Sequence, residues 1–195
     1  MSDLRNVNLN ELCLLGVEDG SFRAFQRRSE PFAYLCCLLM DKGEIDRVTL
    51  LPIEVDGLDA TDKLLTTMND GIADAVILGG ITFAGFNVID PSRVFQETGV
   101  PVIVYSGKRP NDDSMLLALK THFSDWKIRW DVIKSLGKVH EVITMLGEPP
   151  VYFEVVGGSA NWAKWVLRSS ALVCRIPEPV RVAGIIARGV SPVKY

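Results

Sequence analysis

A chain of 195 residues with net charge −3, 48% of it hydrophobic and 23% charged, has material for one sizeable core and too little for two comfortable domains. The composition excludes intrinsic disorder, and the slight acidity gives no global signature of a nucleic-acid binder, although a local basic patch suffices for one. The polar start MSDLRNVNLNEL and the short apolar run AYLCCLLM match neither a signal peptide nor the ~20 residues of a membrane-spanning helix; a single cytoplasmic domain over residues 1–195, with no membrane partner, is expected.

The first expected strand is LCLLGVE, Leu12 to Glu18, ending at Asp19-Gly20-Ser21. A basic connection with Arg23, Arg27 and Arg28 leads into FAYLCCLLM, which turns through Asp41-Lys42-Gly43-Glu44 and returns as IDRVTLLPIEV. Two β-rich runs joined by a short polar link containing glycine predict a hairpin, and Pro52 puts the second run at an edge or a bulge. The period then changes. In DATDKLLTTMND, Asp59 is placed to cap a helix that carries Leu64, Leu65 and Met68 on one face.

The strand VILGG follows, stopping at Gly79 and Gly80, and DPSRVFQETG reads as a helix with Asp90 as cap, Pro91 at its first position and Gly99 closing it. VPVIVYS is a further strand. Helices are expected around Asp112–Leu119 and Asp125–Leu136, then a strand VYFEVVG, a helix near Asn161–Val173, and a last helix opened by PEPVR. Three strands linked as hairpins, followed by strand–helix alternation, predict an α/β protein with a mixed sheet: three antiparallel strands, then parallel ones, flanked by helices. This is the order of the ribonuclease H-like fold. The cysteines Cys13, Cys36, Cys37 and Cys174 lie in apolar runs without metal-ligand spacing and are expected buried and reduced.

The acids supply the candidate chemistry. Glu18 and Asp19 end the first strand, and Asp59 and Asp62 open the first helix. Oxygen donors brought together at one sheet edge suit Mg²⁺ or Mn²⁺, and such ions activate water in phosphodiester cleavage. Crowded carboxylates repel, which raises at least one pKa. Each acid also has a plainer role: Asp19 in a turn, Asp59 as a helix cap, Asp62 three residues on as its capping-box partner, and Asp90 as a cap.

Together, GVEDGSF, VDGLDAT, GGITFAGFNVIDPSRVFQETGVPVIV and RIPEPVRVA resemble the endonuclease V-like proteins, and within them the archaeal endonuclease dU-like group. The resemblance runs from about residue 12 to 190, and its most specific motif is Arg175 to Pro179 followed by Arg181. It implies a ribonuclease H-like fold and Mg²⁺- or Mn²⁺-dependent cleavage of nucleic acid, DNA above all, that carries uracil or hypoxanthine. The first-strand acid of the family maps to Glu18 or Asp19, the first-helix acid to Asp59 or Asp62, and the lysine after PVIVYSG to Lys108, where it would neutralise a phosphate oxygen.

Two positions depart from the nuclease pattern. Gly79 stands where endonuclease V carries a metal-binding aspartate, and Gly184 stands where a polar residue usually follows PEPVRVA. Glu18 is the obvious acid to compensate. In ITFAGFN, a glycine loop with Gly80 and Gly85 would receive an extruded base between Phe83 and Phe86, with Asn87 reading its edge; both phenylalanines alternatively anchor the loop in the core. Arg23 and Arg181 join the substrate-binding candidates. From Gly107 to Lys138 seven basic residues outnumber four acidic ones around Trp126 and Trp130, a possible backbone-tracking surface or simply a packed helix face. The alternatives to a DNA-repair endonuclease are a binding homologue with reduced catalysis and a small-molecule phosphohydrolase.

Overall fold

A computed structural model describes residues 11–22, 31–68 and 73–191. Strands β1 (Cys13–Asp19), β2 (Phe32–Asp41) and β3 (Glu44–Glu54) form an antiparallel meander. Helix α1 (Ala60–Thr66) crosses to β4 (Ala75–Leu78), and α2 (Pro91–Thr98) crosses to β7 (Val102–Ser106). Both crossovers are parallel, with Gly16 beside Ile77 and Ile77 beside Ile103. Between them lies a small hairpin, β5 (Thr82–Phe83) and β6 (Asn87–Val88). Helices α3 (Asp112–His122) and α4 (Trp126–Ser135) precede β8 (His140–Val142) and β9 (Val151–Val156), and the described chain closes with α5 (Ala160–Ser170) and α6 (Glu178–Val190).

The main sheet has the order β3-β2-β1-β4-β7-β9-β8. Pro52 sits on β3, and β3 is an edge strand as the proline predicted, because the missing N–H costs nothing on the unpaired side. β9 runs antiparallel to β7, so the parallel portion is limited to β1, β4 and β7. The sheet is covered on both faces. On one side Leu15, Val17, Val76, Leu78 and Val104 pack with Leu64 of α1, Val94 of α2, Leu119 of α3 and Ile133 of α4. On the other, Leu14, Ile77, Ile103 and Phe153 meet α5 and α6 through Val166, Leu167, Val180 and Ala183. Burial on both faces explains why the central strands read as unbroken apolar runs.

Helix α2 is capped as its sequence predicts: Asp90 accepts from the N–H groups of Ser92 and Arg93, and Gly99 closes it at φ 72°. The N-terminus of α1 is a correction. Asp59 makes no side-chain cap bond there; Asn87 from β6 reaches over and accepts from the Ala60 N–H at 3.0 Å. Cys13, Cys36 and Cys37 are buried thiols, whereas Cys174 is only half-buried. Among the described residues no helix is long and apolar enough to cross a membrane.

Helix α6 lies unusually close to β1. A Cβ built at Gly16 would overlap the backbone carbonyl of Pro179, so only glycine lets the strand and the start of α6 meet. At the far end Ser191 Oγ accepts from the Ser21 N–H at 2.9 Å. Between these two anchors α6 lies along β1 up to the acidic end of the strand.

Candidate functional site

The site is built where β1 and β4 end side by side. The register that pairs Val17 with Leu78 brings Glu18 level with Gly79. The Glu18 carboxyl lies on that glycine: a Cβ at position 79 would overlap Glu18 Oε1, Cδ and Cγ. The space that a side chain at 79 would enter is filled by the carboxylate of residue 18. Glu18 Oε2 also accepts from the Asp19 N–H at 3.2 Å. Strand alternation turns Asp19 toward the other face, where its Oδ2 accepts from the Ala84 N–H at 2.5 Å.

Burial dominates the electrostatics. Desolvation, reinforced by the neighbouring Asp19 charge, lifts Glu18 from 4.5 to about 7, while its bond from the Asp19 N–H and Arg188 pull the other way. Asp19 is also raised, again chiefly by desolvation, with the Ala84 N–H and Arg188 opposing. Arg188 acts on both acids from α6. It has room there because residue 184 is glycine: a Cβ at Gly184 would stand 2.9 Å from Arg188 Nη1 and 3.0 Å from Nη2. The two departures from the nuclease pattern are thus each filled by a neighbour, Gly79 by an acid and Gly184 by a guanidinium.

The remaining sequence candidates separate. Asp59 Oδ1 accepts from the Glu54 N–H at 3.1 Å and from Asn87 Nδ2 at 2.6 Å, which binds it into the loop before α1. Asp62 is 64% exposed and pairs with Arg93 at 2.6 Å on the surface between α1 and α2. Neither first-helix acid is brought to the Glu18–Asp19 pair. Replacing Asp62 with alanine should therefore leave thermal unfolding unchanged, since exposed ion pairs contribute little; a melting curve checks it.

Asn87 is fully buried, with its amide shared among Ala60 N–H, Glu54 C=O and Asp59; it acts as a bracket and has no edge to offer a base. Phe83, 1% exposed, is a core residue. Phe86 is partly buried and tilts against Phe123 at 5.3 Å. Gly85 is needed in the hairpin turn, where φ is +92° and a Cβ would overlap Asp56 Oδ1. Lys108 lies in the exposed loop after β7, where Ser106 Oγ donates to its carbonyl at 2.6 Å. Arg181 is held by both oxygens of Glu178 at 2.8 and 2.6 Å. Arg23 lies outside the described residues.

Three contributors escaped the sequence reading. Asp56 donates its N–H to the Ala84 carbonyl at 2.8 Å and accepts from the Phe86 N–H at 3.0 Å, gripping the same hairpin turn as Asp19. Arg129, 4% exposed on α4, donates to the carbonyls of Gly57 at 2.8 Å, Phe86 at 2.6 Å and Asp56 at 3.0 Å, pairs with Asp125 at 2.8 Å, and stacks over Phe123 at 4.5 Å. Glu154, 6% exposed on β9, is lifted to about 7 by desolvation and then by the Asp112 charge. A charged residue inside the apolar run VYFEVV was the visible signal for the last.

As an expected result, stability falls as pH rises between about 5 and 8. Folded Glu18 and Glu154 keep their protons up to about pH 7, whereas an unfolded glutamate has lost most of its proton by pH 5.5. The native state binds more protons across that window, so the slope of unfolding free energy against pH is negative. Melting temperatures taken at pH 5, 6, 7 and 8 check it; a flat or rising profile would contradict it.

The donor set defines which ion the site suits. Mg²⁺ typically takes one or two carboxylates and completes its shell with waters and substrate phosphate; Glu18 and Asp19 are donors of that kind, carried on opposite faces at the end of β1. A two-ion centre is not matched: among the described residues, no group of three or more His, Cys, Asp and Glu side chains is placed to share an ion.

Comparisons with known proteins agree with this architecture. Residues 10–191 match the family described as Endonuclease dU. A UPF0215 protein of Pyrococcus furiosus is 35% identical over 184 residues, covering 92% of each chain. Among solved structures, a protein of unknown function from Archaeoglobus fulgidus has a TM-score of 0.80 at 25% identity, over 93% of this chain and 99% of that one. Endonuclease V of Ciona intestinalis, in complex with a 24mer DNA containing an inosine followed by a ribo-adenosine, has a TM-score of 0.58 at 12% identity over 94% and 88% of the two chains. That last likeness is one of fold.

Proposed function

Because this chain belongs to the Endonuclease dU family, we propose that it is a divalent-metal-dependent endonuclease for nucleic acid carrying deaminated bases, uracil or hypoxanthine, with Glu18 and Asp19 as its catalytic carboxylates. The observation that carries this reading is the Glu18 carboxyl of β1 lying over Gly79 at the end of β4, the position at which the resemblance to endonuclease V would put a metal-binding aspartate. The inosine-containing DNA held by the Ciona intestinalis structure supports the substrate class.

Glu18 and Asp19 would hold Mg²⁺ or Mn²⁺. Such an ion, when bound, lowers the pKa of water and neutralises phosphate charge. The residues of the chain do the rest. Their burial keeps bulk water from screening the acids. The Ala84 N–H fixes one oxygen of Asp19, and the Asp19 N–H fixes one of Glu18, so the free oxygens are held in place. Arg188 supplies positive charge beside the pair, where a phosphate oxygen is attracted. Lys108, on the loop after the next parallel strand, supplies a second cation at the same sheet edge.

Oligonucleotides with a single uracil or hypoxanthine, incubated with Mg²⁺ or Mn²⁺, should be cut by the protein, and the Asp19→Ala variant should be slower on the order of 10²–10⁴-fold. Wild-type cleavage no faster than that of the variant would overturn the endonuclease reading. Salt-sensitive binding without cleavage would assign the chain a binding role on this scaffold, the reading favoured by the absence of a third nearby carboxylate among the described residues.

A further inference from the structure

The two edges of the main sheet differ in charge. Edge strand β3 carries mixed signs, Glu44, Asp46, Arg47 and Glu54. At the other edge strand, β8, lies a groove of about 290 Å³ whose charges are mostly positive. Arg109 from the loop after β7, Lys138 ahead of β8, His140 at its start and Lys164 of α5 line it, with Tyr152 of β9 and a single acid, Glu141.

Among the described residues no acid forms a salt bridge with Arg109, Lys138 or Lys164. The cations are nevertheless crowded: burial, and then the charges of Lys138 and Lys164, hold His140 below its ordinary pKa. Unpaired like charges repel, and these are gathered in a chain of net charge −3. Lysine also guards an exposed edge strand against self-pairing. That role asks for charge on the strand itself, whereas here the lasting positive charges come from segments outside β8.

The sheet register shows what the groove is level with. Val17 pairs with Leu78, Leu78 with Val104, and Val104 with Glu154. The next row holds Glu18, Gly79, Tyr105 and Phe153, and Phe153 pairs with His140. Glu18 and His140 thus lie in one row, four strand spacings apart. That is about 19 Å at ~4.8 Å per spacing, or about six nucleotides of a B-form strand. Further cations lie between them: Arg188 acts on the acids, Arg175 donates to the Gly107 carbonyl at 3.0 Å, and Lys108 follows β7.

We propose that the groove around Arg109, Lys138 and Lys164 is a second nucleic-acid contact, holding the phosphate backbone about six nucleotides from the bond cut beside Glu18 and Asp19. The inference rests on the proposed endonuclease reading for its partner, but it concerns backbone anchoring and is separable from cleavage. Guanidinium and ammonium groups donate to phosphate oxygens, and Tyr152 adds a phenolic O–H. Such contacts fix the register of a strand without reading its sequence. An acidic protein would meet the same charges, but the cations from Arg188 through Arg175 and Lys108 to Arg109 favour an occupant that also reaches the acids.

The test is the affinity of the full chain, in EDTA to suppress turnover, for duplexes of about 9 and about 25 base pairs with one central uracil. Only the longer one spans from the acids to the groove. Wild type should bind the longer duplex at least tenfold more tightly. Lys138→Ala/Lys164→Ala should lose most of that gain while binding the short duplex as wild type does, which also shows that it is folded. For the longer duplex its slope of log affinity against log salt should shrink by about 1.8, or ~0.9 per lysine. Lys42→Ala, in the β2–β3 turn at the opposite end of the sheet, should change neither.

A length gain and salt slope that persist in the double variant would overturn the inference, as would equal binding of both duplexes or of neither by wild type. Poly-glutamate that competes with the longer duplex as well as unlabelled duplex of equal charge would also overturn it and assign the groove to an acidic protein. A chain that gives any of these results and still cuts at uracil keeps the endonuclease reading. One that shows the length gain and its loss in the variant but never cuts keeps the groove as part of a binding protein.

Discussion

The double variant Glu18→Ala/Gly79→Asp should keep a metal-dependent cleavage activity that Glu18→Ala alone loses. Removing the Glu18 carboxyl empties the volume above Gly79 and leaves Asp19 as the single acid, for which a loss on the order of 10²-fold or more is expected. An aspartate grown from position 79 enters the same volume, since its Cβ would overlap the Glu18 carboxyl. The double variant should recover at least tenfold over Glu18→Ala, and its Mn²⁺ affinity, read from the electron paramagnetic resonance of free Mn²⁺, should recover in parallel.

Gly79→Asp alone should do the reverse. Its Cβ collides with Glu18 as far back as Cγ, and it adds a third carboxylate to a desolvated pair. Its melting temperature should fall below that of wild type with no gain in activity. A Glu18→Ala variant as active as wild type, or a folded double variant no better than the single one, would show that the carboxyl over Gly79 has no catalytic part.

Arg129→Ala should be the most destabilising of the substitutions considered, by about 3–5 kcal/mol, because it removes one partner of a buried, charged network. Three carbonyls from two separate loops, Asp56, Gly57 and Phe86, converge on this guanidinium, and without it each is left half-buried with that donor missing. Lysine should not rescue it, since one ammonium cannot reproduce a planar fork serving three carbonyls and Asp125 together. Urea unfolding measures the loss, and faster amide exchange at Ala84 and Phe86 would localise it. A folded Arg129→Ala protein within about 1 kcal/mol of wild type would contradict the clamp.

The sheet was legible because its centre is covered on both faces: continuous apolar runs at Leu12, Ala33, Ala75 and Val102 mark strands without any long-range knowledge. Pro52 correctly marked an edge, and Asp90-Pro91 with Gly99 correctly bracketed α2, since capping is a local matter. The misses are long-range. His140–Val142 has no period to detect and becomes a strand only because β9 offers it a partner. Asp59 carries every local mark of a cap, yet Asn87, 28 residues on, takes the Ala60 N–H. Of the site, the end of β1 was legible from its acid pair and the Gly79 departure from family resemblance. Neither sequence nor spacing reveals that Glu18 leans onto Gly79, that Arg188 crosses Gly184, or that Arg129 joins two loops, because each depends on what the other strands and helices exclude.

The fit between Gly16 and Pro179 has a consequence for how the protein is made. The first strand and the helix that backs it are separated by some 160 positions, and a contact so distant along the chain is slow to form. During synthesis on the ribosome β1 emerges first and has nothing to shield one of its faces until residues 178–190 follow. Its acidic tip therefore acquires Arg188 only after residues 178–190 have followed. Nascent chains stalled before α6 should present a sticky, catalytically silent sheet to chaperones.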